Sequence, residues 1–196
     1  MSQQGCGCNG GSKPAETSCA TLSVARTPAQ PEQARPDSVP QLGTRLGWRD
    51  RVGGWGARWG FNRMRYTIEP GLYRIGRPDR QSPVLVTANY RLTVDTLRSE
   101  LGGHHVWLLV LDTNGVNVWC AAGKGTFGTG ELTRRIEATS LSRVVDHRRL
   151  ILPQLGATGV AAHEVKRVSD FEVRYGPILA KDLPAYLDNR LRATPA

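Results

Sequence analysis

From Ser82 onward, short β-rich apolar runs alternate with segments of helical periodicity. The runs that predict strands are 84–87, 106–111, 150–152 and 171–175. The segments that predict helices are 93–101, 117–122, 131–141, 160–168 and 181–191. This alternation indicates a doubly wound, mostly parallel α/β sheet of Rossmann-like type. Ligands of such sheets bind beyond the carboxyl ends of the strands, which here means residues 87–90, 112–124 and 153–158.

A polar tail precedes this domain. Residues 1–41 are rich in Gly, Ser, Pro, Gln and Ala, so they lack the apolar surface that would offset the entropy of ordering, and we predict disorder. Three of the four cysteines (Cys6, Cys8 and Cys19) lie in the tail, which is no disulfide framework. Neither a signal peptide nor a long apolar run is visible, and we therefore expect a reducing, cytoplasmic location.

Between tail and domain, residues 42–68 are basic and rich in Trp. Nine Arg against three acidic residues give residues 42–80 a balance of +6, within a net charge of +9 for the chain. Helical spacing would align four apolar side chains, flanked by Arg45, Arg51 and Arg58; we call them the Trp stripe: Trp48, Val52, Trp55 and Trp59. Two interpretations remain open: a covering segment packed on the domain, or a surface for a membrane or a protein partner.

Two local patterns, a glycine-rich run and a single cysteine, each have a functional and a structural interpretation. The run 123–128 matches G-x-G-x-x-G, but a dinucleotide fingerprint follows its strand directly, and eleven residues separate Leu111 from Gly123. Cys120, at the ligand edge of the sheet, is either a buried small apolar residue or a functional thiol. The four histidines show no metal-ligand spacing: His104, His105, His147 and His163.

The run 117–124, Asn-Val-Trp-Cys-Ala-Ala-Gly-Lys, resembles the signature of the mercury-methylating corrinoid proteins. Around it, residues 69–191 are similar to the corrinoid-binding domain of the large subunit of the corrinoid iron–sulfur protein of acetyl-CoA synthesis, through the runs 83–90 and 108–112. The resemblance implies a corrinoid-binding domain at 69–196 with a short cap helix. It implies a cobalamin-dependent methyltransferase that passes a methyl group from cobalt to Hg(II). The alternative is a corrinoid methyl carrier of the acetyl-CoA pathway.

The same resemblance assigns site residues. Cys120 is the expected catalytic residue and the ligand of the corrinoid cobalt. Small residues at 121–123 are expected to let the cap segment approach the ring closely. The expected cofactor-binding residues are Thr87, Asn89, Tyr90, Asn117, Val118, Trp119, Ala121, Ala122, Gly123, Lys124, Gly125, Thr126, Gln154, Leu155, Gly156 and Ala157.

Partners and departures follow from the resemblance. The chain lacks the four-Cys cluster motif of the iron–sulfur relative, so reduction is expected from a ferredoxin-like iron–sulfur protein. A methyl-folate protein is an expected methyl donor, Hg(II) the expected substrate, and nucleic acid is not expected. Asp146 and His147 lack the spacing of the Asp-x-His-x-x-Gly motif, so no lower-ligand histidine is expected.

The mercury-methylating proteins continue into a membrane domain, and we expect this chain to be a shortened form. A non-enzymatic basic binding module that uses the Trp stripe on nucleic acid or membrane is a further hypothesis.

Overall fold

A computed structural model describes residues 38–48, 52, 53, 55, 59, 66–189 and 191. Most of the predicted disordered tail, residues 1–37, lies outside these described residues. The strands are β1 (Gln41–Leu42), β2 (Gly71–Ile75), β3 (Val84–Ala88), β4 (Val106–Leu111), β5 (Arg149–Leu152) and β6 (Glu172–Tyr175). The helices are α1 (Arg91–Glu100), α2 (Val118–Lys124), α3 (Thr129–Ala138), α4 (Leu141–Val144), α5 (Ala162–Ser169) and α6 (Leu183–Asp188), with 3-10 turns at Gln154–Gly156 and Ala180–Asp182.

The described strands form one sheet in the order β1-β2-β4-β3-β5-β6, which confirms the predicted α/β class. The four predicted strands, β3 to β6, are mutually parallel where they pair. Two strands were not predicted: β2, which runs antiparallel to β4, and β1, which pairs in parallel with β2. Since β1 spans Gln41 and Leu42, the boundary predicted between tail and basic segment falls inside a strand.

Side chains on β4 alternate between two apolar cores, one on each face of the sheet. Trp107, Leu109 and Leu111 belong to the core that includes residues of α2, α3, α4 and α5. Val106, Leu108 and Val110 belong to the core that includes residues of α1 and α6. Both faces are therefore covered by helices, as in a doubly wound fold.

The strand order also fixes where a ligand is expected. From β3 the chain moves first to β4 on one side and later to β5 on the other. The direction of winding thus reverses between β3 and β5, and the loops that leave these two strands separate. Ligands of open α/β sheets bind in the crevice that forms at such a switch point.

The Trp stripe of the basic segment is exposed to solvent. Trp48, Val52, Trp55 and Trp59 are 71%, 61%, 69% and 78% exposed. The segment contacts α1 through residues near the two ends of the segment. Arg98 donates to the Gly43 carbonyl oxygen at 2.6 Å, and Tyr66 donates to Asp95 at 3.2 Å. The Trp stripe is therefore exposed, and the interpretation of residues 42–68 as a covering segment stays a prediction. Within the described residues, no helix is both long and apolar enough to cross a bilayer.

Candidate functional site

An open cavity of about 530 Å³ lies at the switch point between β3 and β5. Thr87 lines it from the carboxyl end of β3, and Leu152 lines it from the end of β5. The opposite walls come from one face of α1, the first turn of α2 and the segment after β6. The full lining is Leu85, Val86, Thr87, Tyr90, Leu92, Thr93, Thr96, Leu97, Asn117, Val118, Trp119, Ile151, Leu152, Pro153, Leu155, Gly176, Pro177, Ile178, Leu179, Ala180 and Leu183.

The mouth of the cavity is apolar and open to solvent. Four lining side chains, Trp119, Leu155, Ile178 and Leu179, are between 42% and 67% exposed. In residues 66–189, Val168 is the only other large apolar side chain that is exposed to this degree. Single exposed apolar residues scattered over a surface are common. Exposed apolar residues that cluster around one cavity are instead typical of a binding site.

Helix α2 carries Cys120 and borders the cavity. The Asn117 side chain caps it, accepting a hydrogen bond from the Cys120 N–H at 3.0 Å. The helix ends at Gly125, whose φ of 77° is the left-handed conformation that favours glycine. Cys120 is exposed, whereas Ala121 and Ala122 are buried in the core. The buried Ala121 and Ala122 therefore allow α2 to lie close to the sheet core. The expected approach of residues 121–123 to a cofactor ring stays a prediction.

Asn89 holds the loop that leads into α2. This residue is only 5% exposed, and its side-chain oxygen accepts the N–H groups of Thr113 at 3.1 Å and Gly115 at 3.0 Å. Its amide nitrogen donates to Asp112 at 3.2 Å. Asn89 was expected to bind the cofactor, but it does not line the cavity, and its side chain is used within the protein. We assign it a positioning role.

Glu131 braces the same loop from α3. Its carboxylate accepts the Asp112 N–H at 2.9 Å and the Arg135 guanidinium at 2.7 Å, and it also pairs with Arg134. Burial would raise the pKa of this carboxyl. The hydrogen bonds from Asp112, Arg135 and Arg134 act in the opposite direction and outweigh burial, so the pKa is lowered. The loop between β4 and α2 is thus fixed from both sides.

The cavity contains some of the predicted site residues and not others. Those that line it are Thr87, Tyr90, Asn117, Val118, Trp119 and Leu155. Those that are not part of its lining are Asn89, Cys120, Ala121, Ala122, Gly123, Lys124, Gly125, Thr126, Gln154, Gly156 and Ala157. Gly156, for example, packs against Phe127, and a Cβ there would lie 2.5 Å from the ring. Cys120 directly follows the lining residue Trp119.

Two sets of lining residues were missed. One is the face of α1 that contains Leu92, Thr93 and Thr96. The other is the segment after β6 with Ile178 and Leu179. The second set could have been predicted from the sequence. Strand β6 was predicted, and ligands of such sheets bind beyond the carboxyl ends of the strands, where this segment lies. Among the described residues, no three His, Cys, Asp or Glu side chains are grouped to hold a metal ion.

Comparison with known proteins decides the family. The family model described as "CO dehydrogenase/acetyl-CoA synthase delta subunit" matches residues 62–178, more than half of the 196-residue chain. The chain belongs to this family. The matched region begins before β2 and ends within the cavity segment that follows β6.

Three similar relatives carry the name acetyl-CoA decarbonylase/synthase complex subunit gamma. The protein from Methanopyrus kandleri is 39% identical over 124 residues, which are 62% of this chain and 26% of that protein. The Methanocaldococcus jannaschii protein is 41% identical over 93 residues, 46% of this chain and 19% of its own length. The Archaeoglobus fulgidus protein is 35% identical over 123 residues, 62% of this chain and 26% of its own length. The match thus spans about a quarter of these relatives or less.

These findings correct the identification as a mercury-methylating protein and the assignment of Hg(II) as substrate. The family model and the relatives name subunits of the acetyl-CoA complexes. The resemblance to the mercury-methylating proteins depended on the eight-residue run 117–124, whereas the family match covers the surrounding domain. The structure explains several residues of that run by packing, since Asn117 caps α2 and both alanines are buried. Such features belong to the helix and carry no information on a mercury substrate.

Proposed function

We propose that this chain binds a corrinoid in the cavity and carries methyl groups in a complex of the CO dehydrogenase/acetyl-CoA synthase type. Family membership supports the kind of complex, and the relatives are named as subunits of acetyl-CoA decarbonylase/synthase. The resemblance of the runs 83–90 and 108–112 to a corrinoid-binding domain supports the cofactor. Because the match covers about a quarter of the relatives, the activity and partners of the whole complex are part of the proposal.

The apolar mouth of the cavity is the observation that carries the proposal. A corrinoid is a broad, flat and mostly apolar macrocycle with amide groups along its edge, so it needs an apolar platform with a few polar groups. Trp119, Leu155 and Ile178 offer exposed apolar surface. Thr87, Thr93, Thr96 and Asn117 add hydroxyl and amide groups to the lining. The residues present therefore fit such a group. When bound, the corrinoid would supply the cobalt that accepts and releases the methyl group.

Cys120 directly follows the lining residue Trp119 without lining the cavity itself, and we propose that its thiolate would hold the cobalt of the bound corrinoid. It is the one cysteine among the described residues, its side chain is exposed, and it follows Trp119 on a helix that Asn117 caps. A thiolate is a strong electron donor, and the identity of the axial ligand is a main means by which a protein tunes a metal cofactor. The loop fixed by Asn89 and Glu131 would hold this ligand in place. Electrons are proposed to come from an iron–sulfur partner, since the relatives are named as subunits of a complex.

Filling the cavity should block the corrinoid. Thr96 lies on the cavity face of α1, whereas Ser99 lies on the same helix, is exposed and does not line the cavity. We expect Thr96→Trp to weaken the binding of hydroxocobalamin by roughly 10-fold or more, because the added ring occupies the space of the ligand. Ser99→Trp should leave the affinity nearly unchanged. Absorbance titration measures both dissociation constants. Equal affinities for the two variants would rule out the cavity as the binding site.

A further inference from the structure

The Trp stripe has no role in the cavity, although it is the most exposed group of large apolar side chains in the described residues. Trp48, Trp55 and Trp59 are each 69% exposed or more, and none of them lines the cavity. The backbone is helical at Trp48, Val52 and Trp55, and the Trp59 N–H donates to the Trp55 carbonyl oxygen at 3.1 Å, as in a helix. A helical spacing of about 100° per residue would place the four side chains on one narrow face.

Positive charge surrounds this face in the sequence. Residues 42–65 contain six Arg (45, 49, 51, 58, 63 and 65) and one acidic residue, Asp50, which gives a balance of +5. Several glycines interrupt the segment, and each lowers helix stability by about 1 kcal/mol relative to Ala. A helix of this composition needs a surface on which its apolar face can be stabilised. The charge indicates that this surface is anionic.

We propose that the Trp stripe docks this chain on an anionic lipid bilayer, with the helix lying in the plane of the interface. Indole rings favour the headgroup region because they combine an apolar body with an N–H donor. Arginine side chains beside them are attracted to anionic headgroups, and their apolar stems extend along the same surface. A bilayer surface can bind a narrow, straight stripe of apolar side chains, because it needs no pocket of complementary shape. This docking does not depend on the cavity, because no residue of the Trp stripe lines it.

Vesicle co-sedimentation with the full chain tests the proposal. The vesicles are phosphatidylcholine alone, or phosphatidylcholine with about one third phosphatidylglycerol, as sources of neutral and anionic surface. The apolar variant combines Trp48→Ala, Trp55→Ala and Trp59→Ala, and its matched control combines Trp119→Ala, Leu155→Ala and Ile178→Ala at the cavity mouth. The charge variant combines Arg45→Gln, Arg51→Gln and Arg58→Gln. Its matched control removes three exposed arginines elsewhere with Arg143→Gln, Arg149→Gln and Arg167→Gln.

We expect binding to the anionic vesicles only, and weaker binding as salt rises. The partition coefficient should fall about 100-fold in the apolar variant and a similar amount in the charge variant, while both controls stay within about threefold of the parent. Circular dichroism should show unchanged folding, because the substituted tryptophans are exposed. Absence of binding by the parent chain, equal binding to neutral vesicles, or unchanged binding by the apolar variant would each overturn the proposal. If the parent chain does not bind lipid but self-associates through the Trp stripe in gel filtration, the proposal is overturned, and the stripe binds a second copy of this chain instead.

Discussion

Replacing Gly159 by alanine is expected to lower the free energy of unfolding by about 3 kcal/mol or more, one of the largest effects of any single methyl group in this chain. A Cβ at this position would lie 2.1 Å from the Phe127 carbonyl oxygen and 3.1 Å from the Ala122 Cα. Both neighbours are backbone atoms, so no rotation of a side chain can make room. The segments that contain Phe127 and α2 must move, and the core around them must repack.

Gly123 provides the matched control. It lies within α2, is exposed, and a Cβ there would meet nothing within 4 Å. Gly123→Ala should therefore stabilise the protein by about 0.5–1 kcal/mol through its higher helix propensity. Urea unfolding of the two variants measures the difference. If Gly159→Ala unfolds at the same urea concentration as the parent, the close packing of α2 against residue 159 is incorrect.

Replacing Asn89 by alanine is expected to cost about 2–4 kcal/mol of stability and to loosen the loop before α2. The substitution removes the acceptor for the N–H groups of Thr113 and Gly115, which are both buried. Each buried donor left without a partner costs about 1–3 kcal/mol. The Thr113 hydroxyl is less affected, because it also lies 2.6 Å from the Val116 carbonyl oxygen.

Asn89→Asp separates the two functions of this amide. The carboxylate keeps an acceptor for both N–H groups but loses the donor to Asp112 and places a second negative charge beside it. We expect a loss of stability smaller than that of the alanine variant. Hydrogen exchange at the amides of residues 113 and 115 should accelerate strongly in Asn89→Ala and weakly in Asn89→Asp. Protection that is equal in the parent and in Asn89→Ala would contradict the positioning role.

The parallel part of the fold could be predicted because it follows from local patterns. The continuous apolar runs of β3 and β4 predicted these strands to within a residue of their observed ends. Strand β2 was missed because its buried residues, Leu72 and Ile75, are three positions apart and show no alternation of period two. The predicted helix 131–141 is interrupted at Ser140, whose φ of 48° no periodicity signals.

The candidate site was less predictable, since it depends on the direction of side chains. The edge of the sheet followed from topology, and the cavity lies there. Whether a residue on α2 faces the cavity or the core depends on how the helix is rotated, which the run 117–124 does not encode. For this reason Ala121 was assigned to the cofactor although it is fully buried in the core. The face of α1 that contains Thr96 was missed because α1 and the segment after β6, which line the cavity together, are far apart in the sequence.

The most direct test of corrinoid binding is the absorption spectrum of the purified chain after gel filtration with hydroxocobalamin. We expect the corrinoid to elute with the protein in equal amounts and to show a base-off spectrum, in which Cys120 would hold the cobalt. The variant Cys120→Ala should still bind but with a changed spectrum, because the axial ligand of the cobalt is altered. A corrinoid that elutes entirely apart from the folded parent chain would contradict the proposed function, and a bound corrinoid with identical spectra in the two proteins would contradict the assignment of Cys120.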